Sequence, residues 1–307
     1  SAESETYDSL RRWFDAQGIA NRGHTAIWES RRFSAVPDEV MALERPEPLL
    51  HAVEAHIHDY VNELSGEIYR LDLVNEPFHE RSIVERLPEE YGPPEKVHAA
   101  WYCLADSIAP DLDLVVNEYD LFQSGNDFYS HFQEGMEKLL AYGAPVDVIG
   151  MQGHFWTPVP PPEELQKRID QVRVIGYPME ITEFDMKEES YEAMERVLFV
   201  CFADPDIIGF TLWGAWDGRQ WRNNGALYRE DWSLKPSGRA WFDLVHDTWW
   251  TEASLVSRQD GKVELTGYYG DYTVSTYVNA TLVQQDFHLD PATGKVTVQL
   301  HLPVGKE

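Results

Sequence analysis

Six short apolar runs recur along residues 1–250, and each one ends in polar or aromatic side chains. The runs are IANRGHTAIW (19–28), IYRLDLVNE (68–76), LDLVVNEYD (112–120), VDVIGMQGHFW (146–156), VIGYPMEITEFDM (174–186) and IIGFTLWGAWD (207–217). Segments of helical period, such as 47–64 and 190–204, separate them. Continuous apolar strands that alternate with helices predict a parallel sheet covered on both faces.

The polar strand ends distinguish between two α/β architectures. A Rossmann sheet concentrates its chemistry at one switch point, usually beside a glycine-rich phosphate turn. This sequence has no GxGxxG motif, and all six runs end in residue types that can carry chemistry. An active site that collects the carboxyl ends of all strands is typical of a (β/α)8 barrel. The sequence therefore predicts an α/β protein with a TIM barrel over residues 1–250.

The number of strand–helix units falls short of a closed barrel. Six units are visible, whereas a TIM barrel has eight. The segment YDSLRRWFDAQG, before the first run, has the pattern of a helix that should itself follow a strand. Because an open barrel exposes parallel strand edges, we expect the first two units to come from a second polypeptide, from a second protomer, or from a longer form of this chain.

The composition changes after residue 250. Residues 251–307 are rich in Val, Thr and Tyr with a period of two, and QDGK and PATGK are typical of hairpin turns. We expect a small antiparallel, β-sandwich-like accessory module. So short a sheet is marginal alone, so the module should pack on the barrel or be completed by the absent N-terminal strands.

The formal net charge of −28 excludes several classes of partner. A surface this acidic repels nucleic acid and anionic membranes, so we expect neither as a partner. No apolar stretch reaches the length of a membrane span. The two cysteines, Cys103 and Cys201, fall in separate predicted helices and provide neither a disulfide framework nor a CxxC metal site.

Two strand ends carry glutamates in similar settings, Glu76 in LVNEP and Glu183 in MEITEFD. Carboxylates at the carboxyl ends of barrel strands project into one cleft. Glycoside hydrolysis needs such a pair, because one carboxyl protonates the leaving oxygen while the other, ionised, attacks or stabilises the anomeric carbon. A single strand-end glutamate is more simply explained by bonds to backbone amides. Two of them, accompanied by Asn, Gln, His and several of the eleven tryptophans, favour catalysis.

Five strand signatures resemble those of glycoside hydrolase family 10, the retaining endo-β-1,4-xylanases: GHTAIW, DLVNEP, IGMQGHFW, ITEFDM and LWGAWD. The resemblance covers roughly residues 7–248 and keeps the family's strand order. It implies hydrolysis of xylan through a covalent glycosyl-enzyme intermediate. It also implies a polysaccharide as the partner, no metal or other cofactor, and a secreted or periplasmic location.

The resemblance implies a role for each candidate residue. Glu76 would be the general acid/base and Glu183 the nucleophile, with Asn75 binding the sugar 2-hydroxyl in the −1 subsite. His154 would hydrogen-bond Glu183, and Asp185 would orient that histidine. The other candidates would line or support the same subsite: His24, Trp28, Gln152, Trp213, Trp221 and, from a strand motif that matches less closely, Asn117 and Tyr119.

The sequence departs from the family's pattern in two places. Where the family usually has Trp-His-Ser-Gln after its third strand, this chain has Trp28, Glu29, Ser30 and Arg31. We expect Glu29 and Arg31 to form an additional charged pair at the cleft rim and to alter the glycone subsites. The absent first two strands would supply a Glu-Asn pair and a Lys that bind sugar hydroxyls, so this chain alone should bind the glycone poorly.

Three other functions remain open. One is a non-catalytic carbohydrate-binding barrel, although such a cleft has no need of both glutamates. Another is a β-1,4-glycanase with a different substrate. The third, a metal-dependent sugar isomerase, needs several carboxylates and a His around one ion. The cluster of His51, His56 and His58 does not supply that site, because positions 56 and 58 point to different faces of the predicted helix.

Overall fold

The structure is a computed structural model that describes residues 2–123, 125, 127–222 and 224–301. The chain forms two compact units, Ser1–Arg239 and Ala240–Glu307. The boundary predicted at residue 250 therefore falls within the second unit, and the extent of each domain stays a prediction. Over the described residues, no helix is both long enough and apolar enough to cross a membrane.

A parallel sheet forms the centre of the first unit. Its described strands are β1 (Arg22–Trp28), β2 (Arg70–Asn75), β3 (Asp113–Glu118), β4 (Val148–Met151), β5 (His154–Phe155), β6 (Met179–Met186) and β7 (Ile207–Leu212). They are ordered β1-β2-β3-β4-β6, and both β5 and β7 pair with β6. All six predicted runs contain strands, and the fourth contains two, because Gly153 adopts a left-handed φ of 86° between β4 and β5.

The register of the sheet brings the strand ends to one level. Trp28 lies beside Asn75, Asn75 beside Asn117, and Asn117 beside Gly150. Because the strands are parallel, the side chains at their carboxyl ends meet at one end of the sheet. This level is where the sequence predicts the active site.

Helices cover the outer face of the sheet. They are α1 (Ala2–Ala16), α2 (Asp38–Met41), α3 (Pro46–Leu64), α4 (Pro94–Ile108), α5 (Phe128–Ala141), α6 (Pro162–Arg173), α7 (Tyr191–Ala203) and α8 (Pro236–Asp243). Four of them begin with proline, which fits the first helical turn because it has no N–H to satisfy. In α3 every fourth residue from Leu49 to Val61 is buried, whereas His51, His56 and His58 are exposed, as the sequence predicts.

Shorter helical turns complete the first unit and begin the second. Three are 3₁₀ turns, Val84–Arg86, Glu89–Tyr91 and Asp217–Arg219, and one is a π turn, Leu244–Thr248.

Charged side chains are buried inside the curled sheet. Arg70 on β2 contacts Glu180 on β6 at 3.2 Å and Asp113 at 2.9 Å, and Arg22 on β1 contacts Asp72 at 2.6 Å. β2 and β6 are separated in the sheet by β3 and β4, so the first contact crosses the interior of the curve. Buried charges are tolerated because they are paired.

The sheet curls without closing over the described part of the chain. There, β1 pairs only with β2, and β7 pairs only with β6. β2, β4 and β6 are buried along their whole length, whereas β7 is only half-buried. The observed strands thus supply six units of a barrel, in agreement with the sequence.

The second unit contains an antiparallel pair, β8 (Gly270–Val278) and β9 (Thr281–Leu289). Their turn is Asn279–Ala280, with φ values of 48° and 64°, as a two-residue hairpin loop requires. The predicted hairpin turns lie elsewhere: QDGK and PATGK do form turns, but no described strand flanks QDGK, and PATGK follows β9 without a described strand after it. The period of two alone could not show which turn joins two paired strands.

Candidate active site

Glu76 follows directly after the last residue of β2. Its φ of 57° lies in the left-handed region, which is uncommon for a residue with a Cβ atom. The Glu76 N–H donates to the carbonyl oxygen of Asn117 on the neighbouring strand at 2.8 Å. This bond and Pro77 fix the point at which the chain leaves the sheet. Backbone strain of this kind persists only where the surroundings hold it, and here the adjacent strand does so.

The Glu76 carboxyl is 7% exposed and accepts two hydrogen bonds. Trp28 Nε1 donates to Oε2 and Gln152 Nε2 donates to Oε1, each at 2.8 Å. Burial raises the pKa of Glu76 to about 7, and the charges of Glu118 and Glu183 add to this, although the two donors lower it. A carboxyl with this pKa can both donate and accept a proton near neutral pH.

Glu183 on β6 has different surroundings. Its side chain is buried, and Asn117 Nδ2 donates to Oε1 at 2.7 Å. His154 Nε2 contacts Oε2 at 3.2 Å, and His24 Nδ1 lies 3.7 Å from Oε1. The Glu183 carboxylate therefore contacts an amide donor and two imidazoles.

His154 is held between two carboxylates. Its Nδ1 lies 2.8 Å from Asp185 Oδ1, and Trp221 Nε1 donates to the other oxygen of Asp185 at 2.9 Å. Burial lowers the pKa of His154, but hydrogen bonds to Asp185 and Glu183 outweigh this effect and raise it to about 9. His154 is consequently cationic at neutral pH and donates from both ring nitrogens.

Asn117 links the strand end that carries Asn75 to the strand that carries Glu183. Its amide nitrogen donates to Asn75 Oδ1 at 2.9 Å as well as to Glu183, and its oxygen accepts from Thr182 Oγ1 at 2.6 Å. Among the described side chains, none accepts a hydrogen bond from the Asn75 amide nitrogen, which leaves that group for a ligand.

Aromatic rings surround the two glutamates. Trp213 meets His24 and His154 edge-on, with centroids 5.4 Å and 5.9 Å apart, and Trp221 lies 5.1 Å from His154. The ring of Tyr119 stacks on that of His79, with centroids 3.7 Å apart. Tryptophan faces of this kind bind the C–H-rich side of a pyranose ring.

Of the twelve candidate residues, all but His24, which lies in the first half of β1, are in the carboxyl-terminal half of a strand or in the segment that follows it. The twelve are His24 and Trp28 on β1, Asn75 and Glu76 after β2, Asn117 and Tyr119 at β3, Gln152 and His154 at β4 and β5, Glu183 and Asp185 on β6, and Trp213 and Trp221 after β7. Side-chain hydrogen bonds link nine of them into two groups, one around each glutamate.

Two buried carboxylates were missed by the sequence reasoning. Asp72 is fully buried on β2 and contacts His24 Nδ1 at 2.8 Å. Glu118 is fully buried at the end of β3, where it accepts from the Phe78 N–H and contacts His79 Nδ1, each at 2.6 Å. The available signal was a carboxylate inside an apolar run, in LDLV and in VVNE. Such a residue must face the interior and have a partner there.

Within the described residues, His24, Asp72 and Glu183 form a cluster that could hold a metal ion. Their ligand atoms lie within 4.8 Å of one another. However, the pKa of His24 is raised: burial lowers it, but the hydrogen bond to Asp72 and the charge of Glu183 outweigh that effect. A proton held on this nitrogen competes directly with a metal ion, since a ligating imidazole must be neutral. The donor set therefore favours proton sharing.

The prediction for Glu29 is wrong. Glu29 is fully buried and accepts from the N–H groups of Ile83 and Val84, at 2.7 Å and 2.9 Å, and contacts His98 Nε2 at 2.6 Å. Arg31 is exposed and does not pair with it. Successive side chains of an extended segment point to opposite sides. Trp28 therefore faces the cleft, and Glu29 faces α4 instead of the rim.

Comparison with known proteins relates the first unit to one protein family. The chain matches the family described as Glycosyl hydrolase family 10 over residues 3–243. Endo-1,4-beta-xylanase 2 of Arabidopsis thaliana is 27% identical over 291 residues, which are 92% of this chain and 26% of the relative. Endo-1,4-beta-xylanase 3 of Hypocrea jecorina (strain QM6a) is 27% identical over 237 residues, which are 75% of this chain and 65% of the relative.

Solved structures share the fold. Xylanase 10B from Thermotoga maritima superposes with a TM-score of 0.68 at 20% identity and covers 79% of each chain. The chain spans 26–37% of the length of the three plant xylanases that it matches over more than 90% of its own length. Since the family match runs from the first helix through the last barrel strand and includes every strand end described above, the chain belongs to glycosyl hydrolase family 10.

Proposed function

We propose that this protein is a retaining endo-β-1,4-xylanase, with Glu183 as nucleophile and Glu76 as general acid/base. The observation that carries the proposal is the difference between the two carboxyl environments. Burial holds the pKa of Glu76 at about 7, whereas Glu183 lies against the His154 cation and the Asn117 amide. A pair of carboxyls with such different surroundings is what a double-displacement glycosidase needs.

In the first step, Glu183 attacks the anomeric carbon while Glu76 transfers its proton to the departing glycosidic oxygen. Asn75 and Glu183 both accept from the Asn117 amide nitrogen. Asn75 therefore lies close enough to Glu183 to bind the hydroxyl next to the reacting carbon. A contact to that hydroxyl strengthens as the transition state forms.

In the second step, ionised Glu76 takes a proton from water as the water attacks the glycosyl-enzyme. The covalent bond removes the negative charge of Glu183, which is one of the causes that raise the pKa of Glu76. The pKa of Glu76 therefore falls in the intermediate, and this turns the acid into a base. The His154 cation stabilises Glu183 as it leaves with its charge restored.

The substitutions Glu183→Ala and Glu76→Ala test these roles on xylan and on an aryl β-xyloside with an activated leaving group. Loss of the nucleophile should abolish turnover of both substrates. Loss of the acid/base should spare the first step on the activated substrate, and azide should restore turnover with retained stereochemistry. Wild-type turnover in both variants contradicts the proposal.

The products distinguish the alternative functions. Wild-type protein should release short β-1,4-xylo-oligosaccharides in the β-anomeric form, which proton NMR detects before mutarotation. Faster release from mixed-linkage glucan indicates a glycanase of different specificity. Calorimetric binding of xylo-oligosaccharides without any release of reducing sugar indicates a binding barrel.

We also infer that further polypeptide covers the open edges of the sheet. The hydrogen-bonding edges of β1 and β7 are adjacent to no other described strand, and Ile208 on β7 is 48% exposed. Exposed parallel edges of this kind are rarely left uncovered. Light scattering and intact mass of the native protein test this inference. The inference is contradicted if a monomer of this sequence alone binds xylotriose as tightly as a closed barrel of the same family. Since xylan is an extracellular polymer, the proposed activity also implies export.

A further inference from the structure

Arg222 lies on a platform made by two tryptophans. Its guanidinium carbon is 3.3 Å from the ring centroid of Trp156 and 4.5 Å from that of Trp221. The two rings meet edge-on, with centroids 4.9 Å apart. Stacking on aromatic faces fixes the plane of a guanidinium and leaves the N–H groups at its edge directed outwards.

This platform belongs to the mouth of the active site. Trp156 stacks on His154 with centroids 5.6 Å apart, and Trp221 donates to Asp185. One aromatic layer therefore separates Arg222 from the imidazole that contacts Glu183. A ligand that occupies the cleft at this end has the guanidinium within reach.

Arg222 also differs from the arginines that stabilise the fold. Arg173 and Arg229, for example, each pair with carboxylates. Within the described part of the chain, Arg222 has no carboxylate at ion-pair distance, although the sequence has 53 acidic residues against 25 basic ones. An exposed, pre-oriented guanidinium without a counter-ion, in a chain this acidic, indicates a site for an external anion.

We propose that Arg222 binds the carboxylate of a uronic acid branch on the substrate chain, and so makes the cleft selective for acidic xylan. A carboxylate matches the planar fork of a guanidinium and forms two parallel N–H···O bonds. The tryptophan faces beside it bind the sugar ring that bears this group. This inference rests on the proposed xylanase function, because the xylan backbone in the cleft carries the branch to the platform.

The overall charge gives the interaction a second consequence. At a net charge of −28 the protein repels an acidic polysaccharide, but salt screens this repulsion beyond about 8 Å at physiological ionic strength. A short-range pair with Arg222 therefore favours acidic branches at this position in the cleft over acidic branches elsewhere on the surface.

Two matched substrates test the proposal on the full chain. One is a xylo-oligosaccharide with a single glucuronic acid branch, and the other is the same compound with its carboxyl reduced to a primary alcohol. The measured quantity is the ratio of kcat/KM for the acidic compound to kcat/KM for the reduced one. Because a partly exposed hydrogen-bonded ion pair is worth about a factor of ten, Arg222→Gln should lower this ratio by about 10-fold. Arg222→Lys should lower it less.

Arg12 provides the control, because it is exposed on α1, a helix that ends before the amino end of β1. Arg12→Gln should leave the ratio at its wild-type value. An unchanged ratio in Arg222→Gln, or an equal loss on both substrates, overturns the inference and leaves Arg222 as a packing residue.

Failure of the proposed function gives a different result, namely no turnover of either compound by the wild-type protein. In that case calorimetry with the same two compounds decides the inference. Tighter binding of the acidic compound, lost in Arg222→Gln, supports it, and equal binding of both compounds overturns it.

Discussion

Replacing Trp28 by Phe removes one hydrogen-bond donor from the acid/base and keeps most of the aromatic ring. The lost atom is Nε1, which donates to Glu76 Oε2 at 2.8 Å, while the stack on Phe33, at 4.9 Å, can persist. A donor to a carboxylate stabilises the ionised form and lowers its pKa. Its removal should therefore raise the pKa of Glu76 above about 7.

The size of the shift follows from the strength of that bond. A hydrogen bond to a charged group contributes about 1.5–3 kcal/mol, and one pKa unit corresponds to about 1.36 kcal/mol. We use the lower end of the energy range, about 1.5 kcal/mol, because water enters the space left by the indole N–H. The expected shift of the Glu76 pKa is then about one unit. The Gln152 donor remains on the other oxygen and limits the change.

The assay is the pH dependence of kcat/KM on an aryl β-xylobioside with a poor leaving group. Protonated Glu76 is the active form in the first step, so the alkaline limb should move from near pH 7 to near pH 8 in Trp28→Phe. The position of the limb does not depend on any loss of sugar contact, which changes only its height. Carbon-13 NMR of the Glu76 carboxyl should report the same shift without substrate.

Two further variants define the direction of the effect. Gln152→Met removes the other donor and should also move the limb to higher pH. Glu183→Gln removes a negative charge that raises the pKa of Glu76, so the NMR titration should move to lower pH. A limb that stays in place or moves down in Trp28→Phe refutes the reasoning, because Trp28 Nε1 then does not stabilise the carboxylate.

Two predictions concern other buried groups. Asp185→Asn should lower the pKa of His154 from about 9, which an NMR titration would measure. The raised pKa stabilises the fold below about pH 6.5, and this stabilisation is lost as the pH rises through 9. The free energy of unfolding of the variant in urea should therefore depend less on pH over this range, and an unchanged dependence contradicts the assignment. Glu29→Gln should lower the free energy of unfolding by about 1–3 kcal/mol, because the amide oxygen still accepts from the Ile83 and Val84 N–H groups but an amide N–H group replaces the oxygen that faces His98 Nε2. The exposed control Arg31→Gln should stay within about 0.5 kcal/mol of wild type, and equal urea midpoints for the two variants contradict the buried role.

The sequence predicts the strands and their polar ends well because both are local properties. An apolar run of the right length reports burial on both faces, and the residue at its carboxyl end reports the level of the active site. Glu76 and Glu183 are identified in this way although 106 residues lie between them in the sequence. The split of the fourth run at Gly153 is less visible, since it depends on one left-handed residue.

The failures concern which side of the sheet a residue faces just beyond a strand. Glu29 is next to Trp28, and a motif comparison assigns both to the cleft. The side chains alternate, however, so that the carboxylate binds two amides and a histidine behind the sheet. Asp72 and Glu118 were missed for the related reason that their partners, His24 and His79, are distant in sequence or lie in a loop.

Gln152 connects Glu76 and Glu183, although it lies on the strand of neither. Gln152 lies between β4 and β5; its carbonyl oxygen accepts from the Glu183 N–H at 2.9 Å, and its side-chain amide donates to Glu76 at 2.8 Å. Its backbone thus fixes the strand of the nucleophile while its side chain positions the acid/base. Gln152→Met removes only the side-chain donor to Glu76 and keeps the carbonyl that accepts from the Glu183 N–H. It should therefore act as Trp28→Phe does, through the pKa of Glu76 in both half-reactions. Glycosylation and deglycosylation rates, measured separately, should change in the same pattern in Gln152→Met and Trp28→Phe. A different pattern in Gln152→Met contradicts this and indicates that its side chain also acts on Glu183.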